Sequence, residues 1–276
     1  MNPDLLIFLI FLTPAMATLI WPIRTIFTSK PVLLAQWDLS AMQFMVSLAI
    51  VFFAANNYGI INHPYIGDVL YTIVCVFTFP FYYIFLCELT RHQGATLKDR
   101  RIAFMPPILY CIIFVVIVFN LGEEQYGDYA QRVLMRKDYS LTQNFFYNAM
   151  HIFGYWGFEL FVFIQMVFFI GLGYFRLRRY RVRLIEYNPS LKSKARSAFM
   201  VAGLAFLSCL IIIYVVMNPY PETVAQMGVL YVLLIVFSAV QYMLGEYANM
   251  LDISVKQMLM AKRDSDDLSN SNTEQQ

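Results

Sequence analysis

Seven long apolar stretches alternate with short polar segments along this chain. A transmembrane helix needs about 20 mainly apolar residues. The stretches that approach or exceed this length lie near residues 5–23, 39–56, 69–89, 102–120, 146–175, 198–217 and 223–247. The pattern therefore predicts an all-α, polytopic membrane protein with seven transmembrane helices.

The same pattern predicts two units. Residues 1–250 form the expected seven-helix transmembrane domain, and residues 251–276 form a cytoplasmic appendix. Within the appendix, apolar residues recur with the spacing of an amphipathic helix at Leu251, Val255, Met258 and Leu259. The stretch 264–276 is acidic and polar, which predicts a disordered tail.

Composition supports a membrane environment. Hydrophobic residues make up 59% of the chain and charged residues only 14%, whereas about a quarter of the residues in a soluble domain are charged. The lipid bilayer is therefore the first expected partner. A net charge of +2 does not indicate direct contact with nucleic acid.

The positive charges predict the orientation. When the chain is threaded through seven spans, 17 of its 20 Lys and Arg residues fall on one side, and the other three are Arg132, Arg136 and Lys137. Loops rich in Lys and Arg remain in the cytoplasm during insertion. We therefore expect the N-terminus outside and the C-terminus in the cytoplasm.

Four polar residues on the fifth span form the strongest candidate site. Asn148, His151, Tyr155 and Glu159 follow the spacing i, i+3, i+7 and i+11 of one helix face. Such a stripe must face protein or water, because an ionisable group in lipid is costly. It is either hydrogen-bonded structural packing between helices or a ligand-binding or proton-sensitive site.

Polar residues at a similar depth on other spans are candidate neighbours of this stripe. The predicted ligand-binding set includes Asn56, Asn57, Asn120 and Gln226. Tyr71, Tyr214 and Tyr231 lie at comparable depths. Convergence of these side chains on the stripe is a hypothesis for the structure to test.

A dense group of arginines follows the fifth span without a helix-breaking residue until Asn188-Pro189. This basic cluster comprises Arg176, Arg178, Arg179, Arg181 and Arg183. It is interpreted either as a topology anchor that contacts lipid headgroups or as a docking surface for a partner.

Motifs for catalysis or cofactor binding are absent from the sequence. His63, His92 and His151 are predicted at depths too different for a shared metal site, and the four cysteines lie in apolar segments. The chain contains no H-E-x-x-H, G-x-S-x-G or glycine-rich phosphate loop. We therefore expect no enzyme activity, no metal and no cofactor.

A resemblance to a known family rests on the third and fourth spans. It is carried by Phe79-Pro80-Phe81-Tyr82-Tyr83-Ile84-Phe85, by Leu89-Thr90, by the basic loop Gly94-Ala95-Thr96-Leu97-Lys98 and by Met105-Pro106-Pro107. These segments resemble the membrane half of seven-span Bacteroidetes regulators whose cytoplasmic part is an AraC-type helix-turn-helix DNA-binding domain. The resemblance extends to the arrangement of all seven spans, although no pair of helix-turn-helix units follows Arg263.

The resemblance implies a bacterial inner-membrane sensor. Such a protein would pass the signal of an unidentified small ligand to a cytoplasmic, transcriptional output, through either an output domain or a partner protein. Movement of the fifth and seventh spans is the expected mechanism, and a homodimer is compatible with it. The alternatives are a small permease with Glu159 as its proton or substrate site and a structural subunit of a larger membrane complex.

Overall fold

The computed structural model describes residues 3–27, 34–57, 64–90, 94–136, 138, 140, 142–187, 192–217 and 224–273. Side chains in the last helix are described only as far as Met250. Every regular element in these ranges is a helix. The all-α prediction is therefore confirmed for the described chain.

Four helices make up the first half of the chain. They are α1 (Pro3–Phe27), α2 (Leu34–Asn57), α3 (Pro64–Thr90) and α4 (Leu97–Leu121). Helix α4 begins with a capping box, in which the Thr96 hydroxyl accepts from the Asp99 backbone N–H and the Asp99 carboxylate accepts from the Thr96 backbone N–H.

The second half contains two π-helical segments. A short α5 (Glu123–Tyr129) leads into the first π segment (Ala130–Met135). One rod then runs through α6 (Phe145–Ala149), the second π segment (Met150–Trp156) and α7 (Gly157–Tyr187). It is followed by α8 (Lys192–Met217) and by α9 (Val224–Thr273), a helix of 50 residues.

Six of the helices close a ring. In order around it, neighbouring pairs are α1 and α2, α2 and α3, α3 and α7, α7 and α8, α8 and α9, and α9 and α1. Helix α4 packs outside this ring, against α3 and the α6 rod. Its outward face exposes large apolar side chains that include Met105, Leu109, Ile112, Val116 and Phe119, as expected for a surface in contact with lipid.

Six stretches are long and apolar enough to cross a membrane. They are Phe8–Phe27, Leu34–Ala55, Tyr65–Thr90, Leu97–Leu121, Phe145–Arg183 and Ala225–Met250. These match six of the seven predicted spans. The predicted span 198–217 lies on α8, whose described apolar stretch, Arg196–Ile212, is shorter. The protein is a multi-pass helical membrane protein.

The predicted boundary at residue 250 lies inside α9, which continues as one helix to Thr273. Side chains after Met250, including those of the predicted amphipathic face, lie outside the described residues. The division into a transmembrane unit and a cytoplasmic appendix therefore stays a prediction.

The two ends of the ring differ in chemistry. At one end α3 finishes with Thr90 and α4 starts with Leu97, and we call this the basic end. Three ion pairs join helices there: Arg24 with Glu246, Arg100 with Glu88 at 2.8 Å, and Arg176 with Asp99 at 3.3 Å. The opposite end carries α5 and the first π segment, and we call it the loop end.

Candidate functional site

An apolar cavity of about 60 Å³ lies inside the ring. We call it the central cavity. Five helices contribute to its wall, α2, α3, α7, α8 and α9, represented by Ile50, Tyr71, Val162, Val215 and Leu234. A space of this size and lining stays dry and suits a small apolar group.

The few polar atoms on the wall of the central cavity are already engaged. The Thr78 hydroxyl donates to the Val74 carbonyl at 3.1 Å, and the side chains of Tyr71 and Cys75 hydrogen-bond to each other. A polar ligand would therefore lose its hydration without gaining partners on these residues. The wall selects for apolar chemistry.

A layer of buried polar side chains closes the cavity toward the basic end. A smaller space of about 20 Å³ shares Val46 and Phe79 with the central cavity and is bounded by Ser208 and Gln241. The Gln241 side-chain amide donates to the Ser208 hydroxyl at 2.9 Å. The Gln43 side-chain amide donates to the backbone carbonyl of Gln241 at 2.7 Å. These two hydrogen bonds connect α2, α8 and α9 on the side of the cavity that faces the basic end.

The polar-stripe residues have three different environments. The Asn148 amide is engaged with the loop, accepting from the Thr142 N–H at 2.9 Å and donating to the Thr142 carbonyl at 2.6 Å. His151 is buried, and its ring stacks on Tyr155 with centroids 6.3 Å apart. Glu159 is half-buried on α7, beyond the π segment.

The second π segment, which contains His151 and Tyr155, changes the spacing of the stripe. The Gly157 N–H, which in an α-helix would bond to Phe153, donates to the Ile152 carbonyl instead. The Phe153 carbonyl accepts from the Tyr110 hydroxyl of α4 at 2.9 Å. The wider π turn rotates Glu159 relative to His151. Regular α-helical spacing therefore does not predict whether these two side chains lie on the same helix face.

Glu159 stands out among the stripe residues. Within the described chain, no hydrogen-bond or ion-pair partner reaches its carboxyl group. It precedes Val162 by three residues, so it lies about one helical turn from the wall of the central cavity. A carboxyl group in this position inside a span is a candidate for proton exchange.

Two of the predicted polar neighbours, Asn120 and Gln226, are described and lie at exposed positions. Asn120 is exposed, and its amide donates to the Val116 carbonyl of its own helix at 2.7 Å. Gln226 is exposed near the start of α9. The backbone of Asn56 and Asn57 ends α2, but their side chains lie outside the described residues.

The predicted tyrosine neighbours have separate positions. Tyr71 lines the central cavity and packs against Phe158, the residue before Glu159, with ring centroids 6.1 Å apart. Tyr231 packs edge-on against Phe11 of α1, and Tyr214 of α8 is exposed. The described part of the predicted set therefore does not form one polar pocket.

The basic cluster is divided by its contacts. Arg176 donates to the Tyr83 hydroxyl at 2.8 Å and to the Asp99 carboxylate at 3.3 Å, and its guanidinium lies 5.1 Å from the centroid of the Tyr83 ring. The other members, Arg178, Arg179, Arg181 and Arg183, are exposed. Arg176 thus connects α7 to α3 and α4, whereas the other four arginines are exposed to the surroundings.

An aromatic cluster at the loop end was not predicted from the sequence. The side chains of Tyr126 and Tyr129 are almost completely buried. The Tyr126 hydroxyl donates to Asp68 of α3, and the Tyr129 ring packs edge-on against Tyr147 at 5.5 Å. Both tyrosines lie between the fourth and fifth predicted spans. Aromatic residues in a polar connecting segment were the available signal that this segment folds against the helices.

Three buried glutamines inside the helices were not predicted either. Gln43, Gln165 and Gln241 are at most 5% exposed and lie inside apolar helices. A polar side chain within an apolar span is a direct signal of a protein-facing position. In the ranges that the structure describes, His, Cys, Asp and Glu do not gather into a group of three that could hold a metal ion.

Comparison with known proteins gives no assignment. No protein-family model, curated protein or solved structure matches the chain. The class of the molecule therefore follows from its own helices, as a multi-pass membrane protein with an apolar cavity inside a ring of helices.

Proposed function

We propose that this chain is a bacterial inner-membrane sensory protein with seven spans, its N-terminus outside and its C-terminus in the cytoplasm. In this proposal, occupancy of the central cavity is transmitted along α9 to a cytoplasmic output, which is transcriptional by analogy with the AraC-type regulators. The role is signalling and not catalysis.

One observation carries the proposal. Leu234 and Phe237 of α9 line the central cavity, and the same helix continues without interruption to Thr273. At 1.5 Å per residue, the 36 residues from Phe237 to Thr273 extend about 54 Å. A displacement at the cavity would therefore be carried by one rigid element far beyond the bilayer.

The size of the cavity supports a link between occupancy and movement. Pockets that enclose an ordinary organic ligand measure about 300–1,000 Å³, whereas the central cavity holds about 60 Å³. Anything larger than a small apolar group must move the lining helices apart. The ligand then binds the expanded ring better than the closed one, and this difference in affinity drives the change.

The charge asymmetry supports the proposed orientation. A membrane-impermeant maleimide tests it on intact spheroplasts, with single cysteines introduced at the exposed residues Ser140 and Glu186. We expect Ser140→Cys to react from outside and Glu186→Cys to react only after permeabilisation. The opposite labelling pattern would overturn the orientation.

Glu159 favours a second candidate function, a small proton-coupled permease. Its carboxyl group is half-buried, lies one turn from the central cavity, and has no polar partner among the described residues. Proton flux into proteoliposomes separates the two functions. Flux that is lost in Glu159→Gln supports the permease, whereas equal background leakage in both proteins supports the sensor.

A further inference from the structure

A second, larger cavity lies at the basic end of the ring. It measures about 400 Å³ and opens beside α7, next to the last residue of α3. Its wall includes Thr90, Arg176, Arg179, Tyr180 and Arg183. We call it the basic cavity.

Two of its three arginines carry charge that the described structure does not neutralise. Arg176 is paired with Asp99 at 3.3 Å. Among the described residues, no carboxylate lies within ion-pair distance of Arg179 or Arg183. Glu88, which lies near the end of α3, is already paired with Arg100 at 2.8 Å. Within the described ranges, the cavity therefore has two positive charges on its wall that no carboxylate pairs with.

The spacing of these two arginines favours one compact anion. Arg179 and Arg183 are four residues apart on α7, so their side chains lie on the same helix face. Each guanidinium offers a planar pair of N–H donors that matches the oxygens of a phosphate group. Thr90 adds no donor, because its hydroxyl already donates to the Leu86 carbonyl at 2.6 Å.

We propose that the basic cavity binds the phosphate group of an anionic phospholipid through Arg179 and Arg183. The rest of the cavity wall favours a lipid over a free phosphate. Leu172 and Phe175 lie on the same wall, on the membrane side of the arginines, and Phe175 is 59% exposed. Along α7, the apolar residues thus come first and the arginines follow. This order matches a lipid whose acyl chains contact the apolar residues and whose headgroup contacts the arginines.

This site is distinct from the central cavity, and its occupant does not depend on the proposed signalling role. It also divides the basic cluster in a way that the sequence alone does not. Arg179 and Arg183 line the cavity, whereas Arg178 and Arg181 are exposed and are not among the residues that line it.

This division supplies a matched test. The full chain is prepared as a site variant, Arg179→Gln/Arg183→Gln, and as a control variant, Arg178→Gln/Arg181→Gln. Both lose two positive charges from the same helix. Native mass spectrometry then measures retention of phosphatidylglycerol and phosphatidylcholine after release from mixed nanodiscs, with circular dichroism to check that each variant is folded.

We expect wild type and the control variant to retain phosphatidylglycerol with similar affinity. The site variant should bind it roughly 30-fold more weakly, since each positive charge near an anionic headgroup contributes about 1 kcal/mol and about 1.4 kcal/mol corresponds to a factor of ten. An Arg179→Lys/Arg183→Lys variant should recover most of the affinity. Binding of phosphatidylcholine should not distinguish the variants.

An equal loss of phosphatidylglycerol affinity in the site and control variants would overturn the proposal. The affinity would then depend on the number of positive charges and not on whether the arginines line the cavity. A second arm adds inorganic phosphate at millimolar concentration. Failure of phosphate to displace the lipid supports the phospholipid. Displacement from wild type and control would show that the arginines bind free phosphate equally well, and it would overturn the proposed selection of a phospholipid.

Discussion

The Tyr110 hydroxyl of α4 donates a hydrogen bond of 2.9 Å to the Phe153 carbonyl of the π segment. The Tyr110 ring also stacks against Phe153 and Phe161, with centroids 4.7 and 4.6 Å away. The π segment releases the Phe153 carbonyl from the Gly157 N–H, and a carbonyl that is shielded from water and has no partner is costly even when partly buried. Tyr110 therefore stabilises this departure from α-helical geometry.

Removing this hydroxyl should destabilise the protein. Tyr110→Phe keeps the stacked ring but leaves the Phe153 carbonyl without its donor, at an expected cost of about 1–3 kcal/mol. Thermal unfolding in mild detergent measures the effect. Tyr174→Phe, at a position that is 45% exposed, is the control and should unfold like wild type. Equal stability of the two variants would contradict the assigned role of Tyr110.

A glycine permits close packing between α1 and α9. A Cβ atom built on Gly245 would lie 2.7 Å and 2.8 Å from two atoms of the Trp21 indole, which is nearly completely buried. Gly245→Ala should therefore push α1 away and lower stability by about 1–3 kcal/mol. Its control is Gly228→Ala on the same helix, where nothing lies within 4 Å of the new methyl group.

The control should be neutral or stabilising, because alanine favours a helix over glycine by about 1 kcal/mol. Unfolding of both variants in detergent gives the comparison. If Gly245→Ala is as stable as Gly228→Ala, the contact between Trp21 and Gly245 does not limit the approach of the two helices.

The ion pair between Asp99 and Arg176 should stabilise the folded protein at the basic end. Asp99 is buried, and its carboxylate also accepts from the Thr96 backbone N–H at 3.0 Å. Asp99→Asn should cost about 3–5 kcal/mol, because it leaves the partly buried Arg176 without its counter-charge. Asp128→Asn is the control, since Asp128 is largely exposed and 3.8 Å from Arg132. An unfolding midpoint that is the same for both variants would argue against this role.

A pH-dependent contact is expected at the loop end. Hydrogen bonds from the Ser140 hydroxyl and backbone N–H, together with Arg132, hold the pKa of Asp138 below its ordinary value of 3.8. The charged carboxylate is thus favoured in the folded loop. Its stabilising contribution is complete above pH 3.8 and is lost as the pH falls through the lowered pKa.

Hydrogen exchange at the Ser140 amide measures this contact, because that N–H donates to Asp138 at 3.1 Å. Protection, corrected for the intrinsic exchange rate, should be constant from pH 7 to pH 5 and should decrease only below pH 3.8. In Asp138→Asn the decrease should disappear. Loss of protection already between pH 7 and pH 5 in wild type would mean that another group controls the loop.

The helical membrane architecture was predictable because lipid imposes it. Backbone groups in a bilayer must be satisfied within the chain, so long apolar stretches such as Tyr65–Thr90 have few alternatives to a helix. Near Phe153, by contrast, the backbone depends on a hydroxyl that is 43 residues away in sequence. Local spacing cannot contain such information.

The candidate site was only partly predictable for the same reason. Glu159 and His151 could be identified as polar residues in a span, but His151 lies in the π segment, which changed their relative positions. The central cavity is formed by apolar side chains such as Val162 and Leu234, which are indistinguishable in sequence from ordinary packing residues. Which of them border empty space depends on how five helices meet.

We expect that filling the central cavity moves α9 relative to α7. Val162→Phe adds bulk where α7 borders the cavity, and Val167→Phe adds the same bulk at a position of α7 that is 55% exposed. Spin labels at Glu186→Cys and Met250→Cys report the distance between the two helices near the basic end. The native cysteines are replaced by alanine in every protein.

Double electron–electron resonance in nanodiscs gives the decisive comparison. Val162→Phe should shift the distance between the labels by about 2 Å, the scale of helix movements in switching proteins, while Val167→Phe should match the unmodified reference. Identical distance distributions in all three folded proteins would contradict the claim that the central cavity controls α9.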